Sequence, residues 1–378
     1  MEAAIRGYGK REELVKRLRE NNDIHVRYAI DKNKSLWGKS QNGLEYISPM
    51  KAYSLYEKGE IEKIFINSYF MLPTIEEIVK EMKKMGIKEE DICIPSVRTL
   101  EEKKITVEEI EKGTYMFGQL KRLHILQYHI ADHCNLNCKG CNHFSPLVKD
   151  KQFPDLKSIS SDLKRIHEVV DDIDWIALLG GEPLLNPNWK EYAKETRKIW
   201  KYSYITIFTN GLLVRRLTED DIAFLKEWDI ALIISPYKVN WDYIDEMIAD
   251  LESKGVRCGI DMEGGPICEF SSSFNLESTE DYRIKRKNCT HDCTCMRNGK
   301  ITPCAPMMFV DIFNEYFQTT LPTEKSVDIY DEMSSFEDLN KGLKKPMKIC
   351  RYCDMSSMKK WENASLQEGK LSIKDWLV

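Results

Sequence analysis

The sequence predicts an α/β protein built around parallel strands. From Leu123 onward short apolar runs alternate with amphipathic stretches of helical length, and parallel strands need crossovers of that size. The N-terminal segment shows the same alternation less regularly, and 378 residues with 42% apolar content suffice for two or three packed cores. The divisions expected are residues 1–118, 119–285 and 286–378.

In the first segment, "RGYGKREEL" places Gly7 and Gly9 before a helix-like stretch, and "HVRYAIDKN" follows as a strand ending in Asp31. Strand, Gly-rich turn, helix and a second strand with an acid at its tip is the order of a dinucleotide-binding unit, so a Rossmann-like domain is expected. Glu12 stands where a third glycine would allow close helix packing, which leaves a working nucleotide site and a scaffold that docks substrate or partner both open. "EKIFINS" reads as a buried strand, and "PTIEEIVKEMKKMGI" as a helix with Ile75, Ile78, Met82 and Met85 on one face. The charged run "RTLEEKKITVEEIEKG" reads as a solvated connector.

The second segment offers strands "HILQYHI", "WIALLGG", "YITIFTN", "IALIISP" and "VRCGID". Between them lie the helices "SSDLKRIHEVVDDI", "NPNWKEYAKETRKIW", "TEDDIAFLKEW" and "NWDYIDEMIADLESKG". This order predicts an α/β barrel or an open part of one, in which chemistry sits at the C-terminal strand ends. A triple-cysteine loop follows the first strand, "GGEP" the second, "TNG" the third and Ser235 the fourth. The third segment is short and cysteine-rich, with Asn298-Gly299 marking a hairpin inside "CMRNGKITPC". Little apolar mass surrounds it, so bound metal is expected to supply much of its stability.

Composition narrows the function. A net charge of −5 gives no basic surface for nucleic acid, and no window approaches the roughly 18 apolar residues of a membrane span. "MEAAIRGYGKREELVKRL" has no apolar leader, so a cytoplasmic location and reduced thiols are expected. The twelve cysteines then read as metal ligands where they cluster and as core residues at Cys93 and Cys258. Cys134, Cys138 and Cys141 offer three thiolates from one loop. Zinc would need a fourth ligand, for which His133 and His143 stand near, whereas an iron–sulfur cube held by three cysteines keeps one iron open.

That CxxxCxxC loop after a first strand, with "GGEP" following the second, resembles the radical S-adenosylmethionine (SAM) superfamily. The resemblance spans Leu123 to about Asp261 and implies a partial TIM-type (β/α)6 barrel, with a 4Fe–4S cluster on Cys134, Cys138 and Cys141. In that family SAM chelates the open iron and is cleaved reductively, and the resulting 5′-deoxyadenosyl radical abstracts hydrogen from an unactivated carbon. By the same resemblance Gly180, Gly181 and Glu182 meet the methionyl ammonium, while Thr209, Asn210 and Ser235 contact the methionyl or ribose part of SAM. The family often carries an aromatic where Gly140 stands, a contact that falls to His143 or Phe144 here.

The C-terminal spacing of Cys289, Gly299 and Cys304, then Cys350 and Cys353, resembles the auxiliary-cluster extension called twitch, the short form of SPASM. It implies one further 4Fe–4S cluster on those four cysteines; a zinc ribbon is the other reading, and Cys293 and Cys295 are left over as substitute ligands or hydrogen donors. "CNLNCKGCNHFSPL", "AIDKNKSLWGKSQNGLEYISP" and "ICRYCD" also resemble radical SAM members associated with cell-surface carbohydrate biosynthesis. The resemblance implies a sugar or polyol substrate carried on a nucleotide or phosphate, oxidised or dehydrated at a carbinol carbon, with a flavodoxin- or ferredoxin-type electron donor. A peptide maturase and a carbohydrate epimerase are the alternatives.

Overall fold

The computed structural model describes residues 1–8, 12–21, 23–151, 153–261, 265–291, 293–363 and 371–378, and Gly9 of the expected Gly-rich turn lies outside them. The chain divides into two compact units, Met1–His124 with Val170–Asp174, and Ile125–Val169 with Trp175–Val378. No described helix is long and apolar enough to cross a membrane.

The first unit holds strands β1 (Glu2–Arg6), β2 (His25–Ile30), β3 (Ser40–Gln41), β4 (Leu44–Ile47), β5 (Lys63–Ile66) and β6 (Ile92–Cys93), ordered β3-β4-β2-β1-β5-β6. All neighbours are parallel except the β3–β4 hairpin. Alternation along β1 sends Ala3 and Ile5 into one core and Ala4 into the other, as a sheet covered on both faces requires. Helices α2 (Pro49–Glu57) and α3 (Leu72–Lys84) pack Ala52, Ile75, Ile78 and Met82 on one side, while α1 (Glu13–Arg19) supplies Leu14 and Leu18 on the other. The stretch expected to be a solvated connector forms two short helices, α4 (Val97–Glu102) and α5 (Val107–Glu111), capped by Ser96 and Thr106. Leu100 from α4, Ile110 from α5 and Ile105 from the link between them are buried, which outweighs the polarity of the run. At the end of β1, a Cβ on Gly7 would lie 2.1 Å from the Phe70 ring, so that side of the expected nucleotide turn is already covered by an aromatic.

The second unit's sheet runs β11-β10-β9-β8-β7-β13-β14-β15. Strands β7 (Arg122–Ala131), β8 (Asp172–Gly180), β9 (Tyr204–Thr209), β10 (Ile230–Ile234) and β11 (Cys258–Ile260) alternate with α6 (Leu156–His167), α7 (Trp189–Ile199), α8 (Glu219–Glu227) and α9 (Ile244–Ser253). The registers read β8–β9, β9–β10 and β10–β11 as parallel. The expected strands and crossovers are present, except that "EVVDDI" does not continue α6. The helix ends at His167, and Asp172 and Ile173 begin β8. Strand β12 (Glu269–Ser271) pairs antiparallel with β16 (Met358–Lys360).

Strands β13 (Cys295–Arg297) and β14 (Lys300–Thr302) form the expected hairpin, with Asn298 and Gly299 at positive φ as a tight two-residue turn demands. β13 also extends the main sheet, lying parallel to β7 at Gln127 and Tyr128, and β14 pairs with β15 (Val327–Asp328). Around this region α10 (Tyr282–Lys287), α11 (Ala305–Phe317) and α12 (Phe336–Lys344) surround a core of Phe144, Phe274, Phe309, Phe313 and Trp376.

Candidate active site

The C-terminal ends of β7 to β10 converge on a cavity of about 290 Å³. Cys134, Cys138 and Cys141 line it together with Gly180, Gly181, Thr209, Asn210 and Ser235, so the structure brings eight of the expected residues around one space. The glycine pair makes this possible. Gly181 N–H donates to Ala131 O at 2.8 Å and Glu182 N–H to His133 O at 3.0 Å, stitching the end of β8 to the start of the cysteine loop. A Cβ on Gly180 would lie 1.9 Å from Ala131 O, and one on Gly181 2.2 Å from His133 O, so no other residue type fits this crossing.

Glu182 differs from the expectation. It is fully buried and is not among the described residues lining the cavity. Its carboxylate accepts from Leu184 N–H at 3.0 Å, Thr209 Oγ1–H at 2.8 Å and Asn210 N–H at 2.8 Å. Geometrically it holds Thr209 and Asn210 in the wall. Burial pushes its carboxyl up to about 7, against the pull of those three donors. A carboxyl raised on folding stabilises the chain most below its ordinary value of 4.5, and that contribution is lost as pH rises through 7. The unfolding free energy of wild type relative to Glu182→Gln is therefore expected to fall by about 3 kcal/mol between pH 4.5 and pH 8 in urea titrations. A difference that stays flat across this window would remove the assignment.

Burial pushes Cys134 up to about 12, and raises Cys138 and Cys141 as well. Donors nevertheless face them. Leu136 N–H and Asn210 Nδ2–H lie 3.3 and 3.6 Å from Cys134 Sγ, and the backbone N–H groups of His143, Ser145 and Phe144 pull Cys141 down. The indole N–H of Trp361 is buried, turned toward Cys138, and lacks a hydrogen bond of ordinary geometry. Donors of this kind are better matched by thiolate or sulfide than by a neutral thiol. Leu136, Ile267, Tyr237, Val239, Phe270 and Trp361 pack around the three cysteines and shield them from water. Among the described residues, no three His, Cys, Asp or Glu side chains are gathered closely enough around one point for a single metal ion.

Ser235 Oγ lies 3.4 Å from Asp261 Oδ2, and burial raises the Asp261 carboxyl. Of the two candidates for the aromatic contact, His143 lines the cavity and Phe144 is in the C-terminal core. Tyr237, Phe270 and Asp261 also line it, and the sequence reading missed them. Tyr237 and Asp261 follow strand ends, a signal available in the sequence; Phe270 is placed by β12, whose pairing with residues some ninety positions later no local pattern announces. Trp376 from the C-terminus donates its indole N–H to Cys141 O at 2.8 Å, fixing the loop's third cysteine.

The second cysteine group is assembled separately. Cys289, Cys304, Cys350 and Cys353 lie close enough for mutual electrostatic influence, with Cys304 pushed up to about 12 and Cys353 to about 11 by burial. Met307 N–H, from the first turn of α11, faces Cys304, and Arg286 from α10 faces Cys350. Cys295 is a fully buried β13 residue. Its thiol accepts from Gln127 Nε2 at 3.2 Å and donates to Cys293 O at 3.2 Å.

Comparison with known proteins follows this geometry. Residues 128–257, which carry the three cysteines of the loop, the glycine pair, Thr209, Asn210 and Ser235, match the family described as the Radical SAM superfamily. That family implies a 4Fe–4S cluster and SAM, and the buried thiols with their N–H donors fit such a group. The chain is 32% identical over 115 residues to a GTP 3′,8-cyclase of Clostridium acetobutylicum, covering 30% of this chain and 35% of that one. It is 28% identical over 134 residues to a GTP 3′,8-cyclase of Peptoclostridium acidaminophilum, covering 34% and 41%. The matched region thus spans well under half the length of either relative. Among solved structures, BtrN in complex with AdoMet and 2-DOIA aligns at a TM-score of 0.38 and 17% identity, over 62% of this chain and 94% of that one.

Proposed function

We propose that this protein is a radical SAM enzyme that abstracts hydrogen from a carbinol carbon of a sugar or polyol and carries the product to a dehydrogenated or dehydrated form. The observation that supports this reading best is the single cavity shared by Cys134, Cys138 and Cys141 with Gly180, Gly181, Thr209, Asn210 and Ser235. When bound there, the cluster and SAM supply a reducing electron and the 5′-deoxyadenosyl radical that results from it. The chain's own part is to hold and position. Cys134, Cys138 and Cys141 ligate the metal, Asn210 and the backbone N–H groups after Cys141 offset charge on the sulfurs, and Glu182 keeps Thr209 and Asn210 in place. The apolar shell of Ile267, Val239 and Phe270 limits water at the reacting centre. Cys289, Cys304, Cys350 and Cys353 are proposed to carry one auxiliary cluster, a sink for the second electron of an oxidation, with a flavodoxin- or ferredoxin-type protein as donor to the first site.

The relatives named GTP 3′,8-cyclase favour a second reading, in which the substrate is a purine nucleotide. An anaerobic assay separates the two. Substrate-dependent 5′-deoxyadenosine with sugars or polyols, lost when Cys134, Cys138 and Cys141 are replaced by Ala, supports the first; formation with GTP alone supports the second. Cleavage of SAM that survives the triple replacement would overturn both.

A further inference from the structure

The two cysteine groups differ in the charges around them. The loop cysteines Cys134, Cys138 and Cys141 are influenced chiefly by neutral donors, among them Leu136 N–H, Asn210 Nδ2–H and the Trp361 indole, and by the Glu182 carboxyl. The C-terminal group meets cations instead. Lys285 Nζ from α10 donates to Cys353 O at 2.8 Å, and its charge pulls the Cys353 thiol down. Lys325 Nζ donates to Met307 O at 2.8 Å and Met308 O at 2.7 Å in the first turn of α11, within electrostatic reach of Cys304. Both ammonium groups are partly neutralised, since Lys285 Nζ is 3.1 Å from Glu280 Oε2 and Lys325 Nζ is 3.1 Å from Asp311 Oδ1.

The third cation, Arg286, has no such carboxylate among the described residues. Its place is set by two of the cysteines. The chain runs from the end of α10 into Cys289, whose N–H donates to Arg286 O at 3.2 Å, and α10 packs against the turn Lys348–Arg351, which carries Cys350. Arg286 Nη2 donates to Leu343 O at 2.6 Å near the end of α12, while its Nε is buried and without a hydrogen bond among the described residues. A charged donor taken out of water with nothing to accept it is costly. The guanidinium already pulls the Cys350 thiol down, so the acceptor that suits this N–H is the negative sulfur of a metal-bound thiolate or a cluster.

We propose that Arg286 sets the electron affinity of the auxiliary site: its fixed positive charge offsets the negative charge that one electron adds to a cluster on Cys289, Cys304, Cys350 and Cys353, and so raises the midpoint potential there. This rests on the auxiliary-cluster part of the function proposed above. Arginine suits the role because its charge is not lost by deprotonation and its several donors hold Leu343 O and a sulfur acceptor at once. Lys285 and Lys325, each beside a carboxylate, contribute less.

The test uses the full-length protein with Cys134, Cys138 and Cys141 replaced by Ala, so that iron retained after anaerobic reconstitution belongs to the C-terminal cysteines. Iron and zinc are measured first, and the midpoint is then read by EPR in a titration with dithionite as the electron source. At a fixed potential the reduced-to-oxidised ratio should be about tenfold lower after Arg286→Gln, a midpoint about 59 mV lower for a one-electron couple. Arg286→Lys keeps the charge and should stay within about threefold of the parent ratio. An unmoved midpoint in Arg286→Gln with iron intact, or a lysine variant shifted as far as the glutamine variant, overturns the proposal and leaves the auxiliary cluster in place. Loss of iron from Arg286→Gln but not from Arg286→Lys supports it, because the charge is then needed for the site to hold the cluster at all. Loss from both gives the arginine a packing role and overturns it. Zinc, or no metal, in the parent triple variant sinks the auxiliary-cluster reading and the proposal with it.

Discussion

Replacing Gly181 by Ala is expected to empty the site on the Cys134–Cys141 loop while sparing the auxiliary cluster proposed on the C-terminal cysteines. The added Cβ would lie 2.2 Å from His133 O, 2.3 Å from its carbonyl carbon and 2.7 Å from Cys134 N, all backbone atoms that cannot rotate aside. The loop that begins at Cys134 must therefore lift from the end of β8, breaking the Glu182 N–H bond to His133 O and pulling Cys134 away from Asn210. A displacement of about 1 Å in such a site costs on the order of 100-fold in rate, so SAM cleavage should fall at least that far. The atoms crowded by the new Cβ belong to His133 and Cys134, so iron per chain after anaerobic reconstitution should drop to the share proposed for Cys289, Cys304, Cys350 and Cys353. Full iron content and undiminished 5′-deoxyadenosine formation in Gly181→Ala would show that the loop does not depend on this crossing. The same substitution at Gly118, where the backbone is not left-handed and an added Cβ meets only the end of the Glu89 side chain at 3.7 Å, is the control for handling losses.

The sequence made the parallel α/β core of the second unit legible because its strands are continuous apolar runs and its helices carry one apolar face, both local properties. It also exposed the three cysteines, whose spacing is a local property too. What it concealed depends on distant partners. Nothing around Trp361 or Phe270 marks them as the shell of a loop more than a hundred residues earlier, yet both pack there. Glu182 was legible as a functional acid but not as a buried one; its burial follows from Thr209 and Asn210 closing over it from the next strand. The short helices α4 and α5 were hidden because charge dominates their composition, while three apolar positions decide their placement. The helix expected through "EVVDDI" stops early because Asp172, at its end, and Asp174, just beyond it, bond to backbone of the first unit.

Those acids underlie the largest stability effect expected. Asp172 accepts from Val97 N–H at 2.7 Å and Arg98 N–H at 3.1 Å, capping the start of α4. Asp174 accepts from Leu72 N–H at 2.6 Å and from Arg122 Nε at 2.5 Å. Arg122 is 5% exposed, and it spends its remaining donors on Ser68 O at 2.7 Å and Phe70 O at 2.9 Å, so one guanidinium answers two buried acids and two carbonyls. Arg122→Met keeps much of the apolar stem but strands both carboxylates, and removing one partner of a buried pair costs about 3–5 kcal/mol. Urea unfolding of the variant at pH 7.5 should show that loss. Arg122→Lys should recover only part of it, since an ammonium replaces the charge without the fork that reaches Ser68 and Phe70. The penalty should also shrink as pH falls. Burial already raises the Asp172 carboxyl against the pull of Arg122, so without the arginine its folded-state value rises further. Protonation then discharges the unpaired group at mildly acidic pH, while in wild type the pair persists to lower pH. A deficit below about 1 kcal/mol, or one that grows toward acid, would mean that their backbone donors, with His124 beside Asp174, hold the two acids without Arg122.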